Sequence, residues 1–394
     1  MNGPPGAPGT GSGADGGGPA ATFAVKAYGA FCDAAHDDTT AIQSAEKARE
    51  AAMGGVLSFP NGICVVSSAI VVNVGGIVLG SGHGLTGAIQ MATVLRTTST
   101  TDDVFRVTTV DGISFRELQI DAPGVTKMSG AGIKIQPTQP PYGANVNRQA
   151  RIDSVTINNM DDGIELYNAA NFSVTNSFIT DFQNNGIYVN QNSVIVDAGD
   201  SLVSGNTIWD FNVNSGAAGL RLDPAGGMEV VGNKFLSARF GLWLTVSQGP
   251  TGTINFSNNS VEQQTVSGFY VEQAAAGKTY GNIVVTSNEF SILKVAGAQS
   301  GVTFVAGASG SYISNAVVAN NVFNMSLAQG AIIDINDGTG VTLSGNVLNN
   351  LGVAGSVGIA TGGNASNVLV FGNVFQGLPS GSYGTLNGGT TLKF

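Results

Sequence analysis

The chain has 394 residues, 57 of them glycine, and 42 charged side chains (16 Lys+Arg, 26 Asp+Glu), for a formal charge of −10. Glycine is about twice its ordinary share, and charge at 11% is less than half the usual ~25%, yet hydrophobic residues reach 42%. That balance excludes a coiled coil and a disordered acidic chain, and the scattered basic residues offer nucleic acid no electrostatic track. No apolar run approaches a bilayer span, and the N-terminus lacks a signal peptide's basic and apolar regions.

Residues 1–22 form a separate leader. Gly3, Gly6 and Gly9 keep the three-residue glycine period of a collagen triple helix, and the register breaks at Ser12. The segment reads either as a tail lying along a pre-formed three-fold or as a flexible Gly/Pro leader. The two cysteines, Cys32 and Cys64, exclude a disulfide framework. They could pair with each other, but two buried free thiols is the favoured reading. Asp38 or Thr39 can cap a helix running to about Ala52, with Ala41, Ile42, Ala45 and Ala48/Arg49 as its apolar stripe and Gly54-Gly55 ending it.

From residue 113 onward the chain repeats an apolar–x–apolar–x–x–Asn–x–apolar unit. Its asparagines are Asn206, Asn233, Asn259, Asn288, Asn321, Asn346 and Asn373, at spacings of 27, 26, 29, 33, 25 and 27. Leu118, Val155 and Ser177 occupy the same slot earlier. Each unit then carries a short strand opening on glycine, such as Gly132-Ile133-Lys134-Ile135 or Gly241-Leu242-Trp243-Leu244. Short strands at this period imply an all-β solenoid whose coils stack about 4.8 Å apart around one core. The slot asparagines are expected to form a structural amide ladder at a coil corner.

The stretch Phe23-Ala24-Val25-Lys26-Ala27-Tyr28-Gly29-Ala30, with Asp37-Asp38-Thr39, Gly54-Gly55-Val56-Leu57 and Leu79-Gly80-Ser81-Gly82, resembles the opening of pectate-lyase-like right-handed β-helix proteins. The resemblance covers residues 23–96 specifically and the remainder as architecture. It implies a right-handed single-stranded parallel β-helix with a short N-terminal capping helix. The implied organisation is a leader at 1–22, helix and first coils at 23–112, ladder coils at 113–376 and a tail at 377–394. Cys32-Asp33-Ala34 stands where that family usually has Gly-Asp-Gly, so this turn is altered. Combined with the leader, the chain is most similar to phage tailspikes. That likeness implies a homotrimer on a virion's tail or capsid surface, released by host lysis, contacting other virion proteins through the leader and recognising, and in some cases depolymerising, bacterial surface polysaccharide. A purely structural virion component and a cellular lyase or epimerase are the alternatives.

Strand alternation turns the middle residue of each glycine-led strand outward, giving Lys134, Glu165, Tyr188, Arg221, Trp243, Tyr270 and Thr303 on successive coils. Aromatic faces suit the C–H faces of sugars and cations suit acidic sugars, so the row reads as a glycan groove; a subunit interface enriched in the same residues is the competing reading. Four residues past the slot lie Asn159, Asp181, Asp210, Ser237 and Gln263. Asp181 and Asp210 in adjacent coils would match a retaining glycosidase pair, and Glu165 with either is a wider alternative; backbone-binding turn aspartates are the competing reading. Gly82-His83-Gly84 and Asp161-Asp162 occur in the wrong order for a polygalacturonase. His36 and His83, the sole histidines, lie near the cap, and no metal or cofactor is implied. Outward positions before the slot become apolar late (Val284, Val317, Ala319, Leu369, Phe371) where earlier coils carry Ser114, Arg116, Arg151, Asp153, Ser173 and Thr175, which suggests burial between subunits.

Overall fold

The computed structural model describes residues 20–84, 92–109, 112–124, 126–137, 147–190, 200–211, 218–223, 226–247, 252–292, 300–307, 310, 312–326, 330–351, 356–378 and 381–393. The glycine triplets of the leader lie outside this set. The repeat unit folds as one coil of three short strands. In a representative coil these are Ser173–Thr175, Phe178–Thr180 and Asn185–Asn190. Each stacks in parallel on its counterpart in the next coil, pairing Val174 with Val203, Ile179 with Ile208 and Ile187 with Leu220. The strands before the slot (first face) and after it (second face) belong to one 25-stranded sheet, because Ile113–Asp121 and Arg151–Asn158 run through both. The glycine-led strands form a separate 11-stranded third face.

The bend between first and second faces has a local cause. The residue just before the slot is left-handed in coil after coil: Asn176, Gly205, Gly232, Asn258, Ser287, Asn320, Gly345 and Gly372 have φ between 51° and 67°. Glycine and asparagine dominate there because they tolerate that conformation best. The bend points the slot side chain inward, and the expected ladder forms. Asn206 Nδ2 donates to Asn233 Oδ1 (2.9 Å) and to the Val174 carbonyl (2.9 Å), while Asn206 N also donates to Asn233 Oδ1 (3.0 Å). The pattern repeats through Asn233, Asn259, Asn288, Asn321 and Asn346 to Asn373. Ser177 starts it, donating its N–H to Asn206 Oδ1. Inward Ile187, Leu220, Leu242 and Phe269, with Phe235, Phe290 and Phe323 from the second face, fill the core and are fully buried.

The glycine near the start of the third-face strands from Gly132 to Gly301 answers a need for space rather than for positive φ; Gly330, at φ 91°, is the exception. A Cβ on Gly163 would lie 2.5 Å from the Gly186 carbonyl oxygen and 2.5 Å from Ile179 Cγ2. Gly241 meets the Gly268 carbonyl and Val261 in the same way. Each third-face strand therefore packs against the second face of the next coil where a side chain would block it.

At the N-terminal end the helix spans Thr39–Ala51. Asp38 takes the N-cap position without capping; its carboxylate accepts the Phe31 and Cys32 backbone N–H groups (2.6 and 3.0 Å). The helix buries a Glu46–Arg49 ion pair (2.7 Å), whose guanidinium also donates to the Val74 and Gly75 carbonyls. Cys32 and Cys64 form a disulfide, which corrects the expectation of free thiols. The reason is register: Asp33 pairs with Ile63, so the two cysteines meet on neighbouring coils. Past the last rung, Thr390–Lys393 adds another strand by pairing with Val368–Phe371.

Candidate functional site

The third face places Lys134, Glu165, Tyr188, Arg221, Trp243, Tyr270 and Thr303 in one register, each paired with the next. Backbone hydrogen bonding sets their separation, so side chains on adjacent coils interact directly. Lys134 Nζ lies 2.8 Å from Glu165 Oε2 and 5.3 Å from the Tyr167 ring centre. Burial pushes Glu165 up despite Lys134; Lys134 is held above its usual range, burial notwithstanding, by Glu165. The Arg221 guanidinium lies between two rings, 5.0 Å from Tyr188 and 4.5 Å from Trp243. Phe240 packs under the same stack, 5.0 Å from Trp243 and 4.7 Å from Tyr270, with Arg239 over its face. Burial pushes the Tyr188 hydroxyl up to about 12.

A second row runs two residues further along these strands, as Tyr167, Asn190, Asp223 and Glu272 facing outward, with Thr245 buried in the same register against the Leu222 carbonyl. Asn190 Nδ2 donates to the Tyr188 hydroxyl (2.8 Å), Trp243 Nε1 to Glu272 Oε1 (3.0 Å) and Ser247 Oγ to Asp223 Oδ1 (2.8 Å). Arg221 Nη2 stands 3.7 Å from Asp223 Oδ2. Sequence reasoning missed this row and Phe240. The alternation that exposed the first row also selects residues two further on, whereas Phe240 fills a position that is small or polar in neighbouring coils.

The three carboxylates expected to do chemistry are placed differently. Glu165 lies on the first row, bound to Lys134. Asp181 and Asp210 follow the paired residues Thr180 and Trp209, so they occupy adjacent coils at the end of the second face, off the row. Asp181 is half-buried, with φ 53°, and burial raises its carboxyl while the Phe211 N–H opposes the shift; Asp210 is closed to solvent. Near Glu165, burial pushes Asp162 up to about 7, although it accepts a 2.7 Å hydrogen bond from Asn185 Nδ2.

A cleft of ≈ 1030 Å³ opens on the first face among Asp200, Leu202, Glu229, Asn255, Ser257 and Val284; none of the described residues lining it is aromatic. Further along that face Val284, Val317 and Leu369 are half-buried and Phe371 is exposed, whereas Ala319 and the early Ser114 are buried. Among the described residues one group of three could offer metal ligands, Cys32, Asp38 and Cys64. Its sulfurs are joined and its carboxylate is taken by backbone N–H groups, so it does not fit a metal.

Residues 142–317 match a family model described as a right handed beta helix region. The fold is a right-handed β-helix. Solved structures of similar architecture span most of this β-helix. The A-module of the Azotobacter vinelandii mannuronan C-5 epimerase AlgE4 is 16% identical, with TM-score 0.63 over 94% of this chain and 100% of that one. The Dettilon tailspike protein is 12% identical, with TM-score 0.65 over 90% of this chain and 68% of that one. The DFA-IIIase of Arthrobacter chlorophenolicus A6 in complex with DFA-III is 14% identical, with TM-score 0.62 over 89% of this chain and 93% of that one. At these identities the likeness is one of β-helix fold. A search with the sequence finds no match among curated proteins.

Proposed function

We propose that this β-helix is a subunit of a virion spike or fibre that recognises bacterial surface polysaccharide through the two outward rows of its third face. The observation that carries the reading is the stack of Tyr188, Arg221, Trp243 and Tyr270, supported by Phe240, on the outside of a rigid sheet. Flat rings held at a coil repeat offer apolar surface to pyranose C–H faces, and the adjoining Asn190, Asp223 and Glu272 offer polar partners to hydroxyls. The glycine-triplet leader and the likeness to a tailspike support the spike assignment; the epimerase and DFA-IIIase neighbours support carbohydrate as the ligand.

Recognition is favoured over cleavage by the state of the carboxylates, with Asp210 closed to water, Glu165 bound to Lys134 and Asp181 off the row. Cleavage remains the further step of this proposal, assigned to Glu165, Asp181 and Asp210. Tyr188→Ala combined with Trp243→Ala is expected to lower retention on host polysaccharide about tenfold or more, with unchanged melting, since each stacked ring contributes about 0.5–1.5 kcal/mol beyond its area. Unchanged retention would sink the reading. Reducing-end release by the wild type, lost in Asp181→Asn or Asp210→Asn, tests the catalytic step; no release from a bound polysaccharide makes the protein a binder.

A further inference from the structure

We infer that the polysaccharide this face reads is uncharged, an inference that rests on the recognition reading above. Cations on the first row suggest acidic sugars in isolation, but the structure occupies or offsets them. Lys134 is committed to Glu165 at 2.8 Å, and Arg106, one coil earlier, to Asp103 at 2.8 Å. Arg221 lies between two rings with Asp223 3.7 Å from its Nη2. The second row carries Asp223, already set against Arg221, and Glu272, and both Glu272 and Arg239 act on Tyr270 at that end of the stack. A sugar carboxylate seated over Tyr188 and Trp243 would meet Arg221 only with Asp223 beside it, and so no cation without an acid at hand. Asp223 and Glu272 repel such a carboxylate at close range, and salt screens that repulsion. The chain's net charge of −10 opposes a polyanion at longer range as well.

Neutral sugar hydroxyls meet no such opposition. Each hydroxyl both donates and accepts, and vicinal pairs suit a donor set beside an acceptor. Arg221 supplies the donor through its terminal nitrogens: Nη2 stands 3.7 Å from Asp223 Oδ2, beyond hydrogen-bond distance. Among the described residues Asp223 accepts from Ser247 Oγ, and Glu272 accepts from Trp243 Nε1 and bonds Tyr270, which leaves lone pairs free on both carboxylates. Arg221 and Asp223 are thus specificity-determining residues for a diol lying across the aromatic stack.

The test uses the full chain and a panel of neutral glucans, mannans and galactans, each paired with its own C6-oxidised, carboxylate-bearing form. Retention of each member is measured by affinity electrophoresis at low and physiological salt. Binding to one or more neutral members, at least about tenfold tighter than to the oxidised partner, is expected, with little salt dependence. Asp223→Lys, whose folding is checked by melting, is expected to shift preference toward the oxidised form. Binding that requires the carboxylate overturns the inference while leaving the recognition reading intact. Failure to bind any member, including glycans from candidate hosts, overturns both.

Discussion

Asp162 lies three residues before Glu165 at the start of a third-face strand, and burial outweighs the hydrogen bond from Asn185 in raising its carboxyl from 3.8 to about 7. Between those values the native chain keeps a proton that the unfolded chain has released. Stability from this group therefore falls as pH rises across the window and levels off above it. Glu165 and Asp181 are raised as well and add slopes of the same sign, so the difference between variant and wild type isolates Asp162. Asp162→Asn keeps an acceptor for Asn185. It is expected to flatten the decline in urea midpoint and to exceed wild-type stability above neutrality; identical pH profiles would contradict the assignment. The charge at Asp162 was readable in the sequence, but its burial depends on neighbouring coils and was not. The cysteine pair is a similar case. Cys32 and Ala34 hold positive φ, which glycine adopts most readily, and that turn sets the register that joins Cys32 to Cys64.

The ladder is the element that sequence reading described most completely, because the same letter recurs in each rung and any break in period would show. Its energetic role follows from the bonds. Asn259→Ala would strand the Asn233 N–H and the Val230 carbonyl in the core and take one bond from the Asn233 amide, which keeps the Val203 carbonyl. Each buried orphan costs about 1–3 kcal/mol, so a loss of about 3 kcal/mol or more is expected by urea denaturation. Asn373→Ala, at the half-exposed end of the ladder, should cost distinctly less; equal costs would show that the rungs do not act through buried bonds. The glycines illustrate what letters conceal. A glycine needed for positive φ, such as Gly232, and one needed for room, such as Gly163, look alike until a neighbouring carbonyl is located.

Among the described residues, exposed apolar side chains are single at Phe31, Met53, Met128 and Phe211 but form a column at the C-terminal coils on both sides of the ladder corner. Phe371 is 40% exposed on the first face, and Val322 and Val374 are 39% and 48% exposed on the second, joined through Val347 in one register. Apolar surface in such a column suits burial between subunits, as the proposed trimer requires. Sedimentation is expected to give a trimer for the wild type and a smaller species for Phe371→Ser with Val374→Asp; a monomeric wild type would refute the assembly. Alternation along the strands made this patch partly legible, although Ala319 proved buried and Val374 was overlooked. The third face has a different consequence at this scale. Its outward side chains contribute little to the core, and their spacing is fixed by backbone pairing and by glycines on the other side of the strand. Such a surface can be rewritten one residue at a time while the scaffold beneath keeps its shape. Descendants of this chain could thus change what this face presents far faster than they could change their architecture.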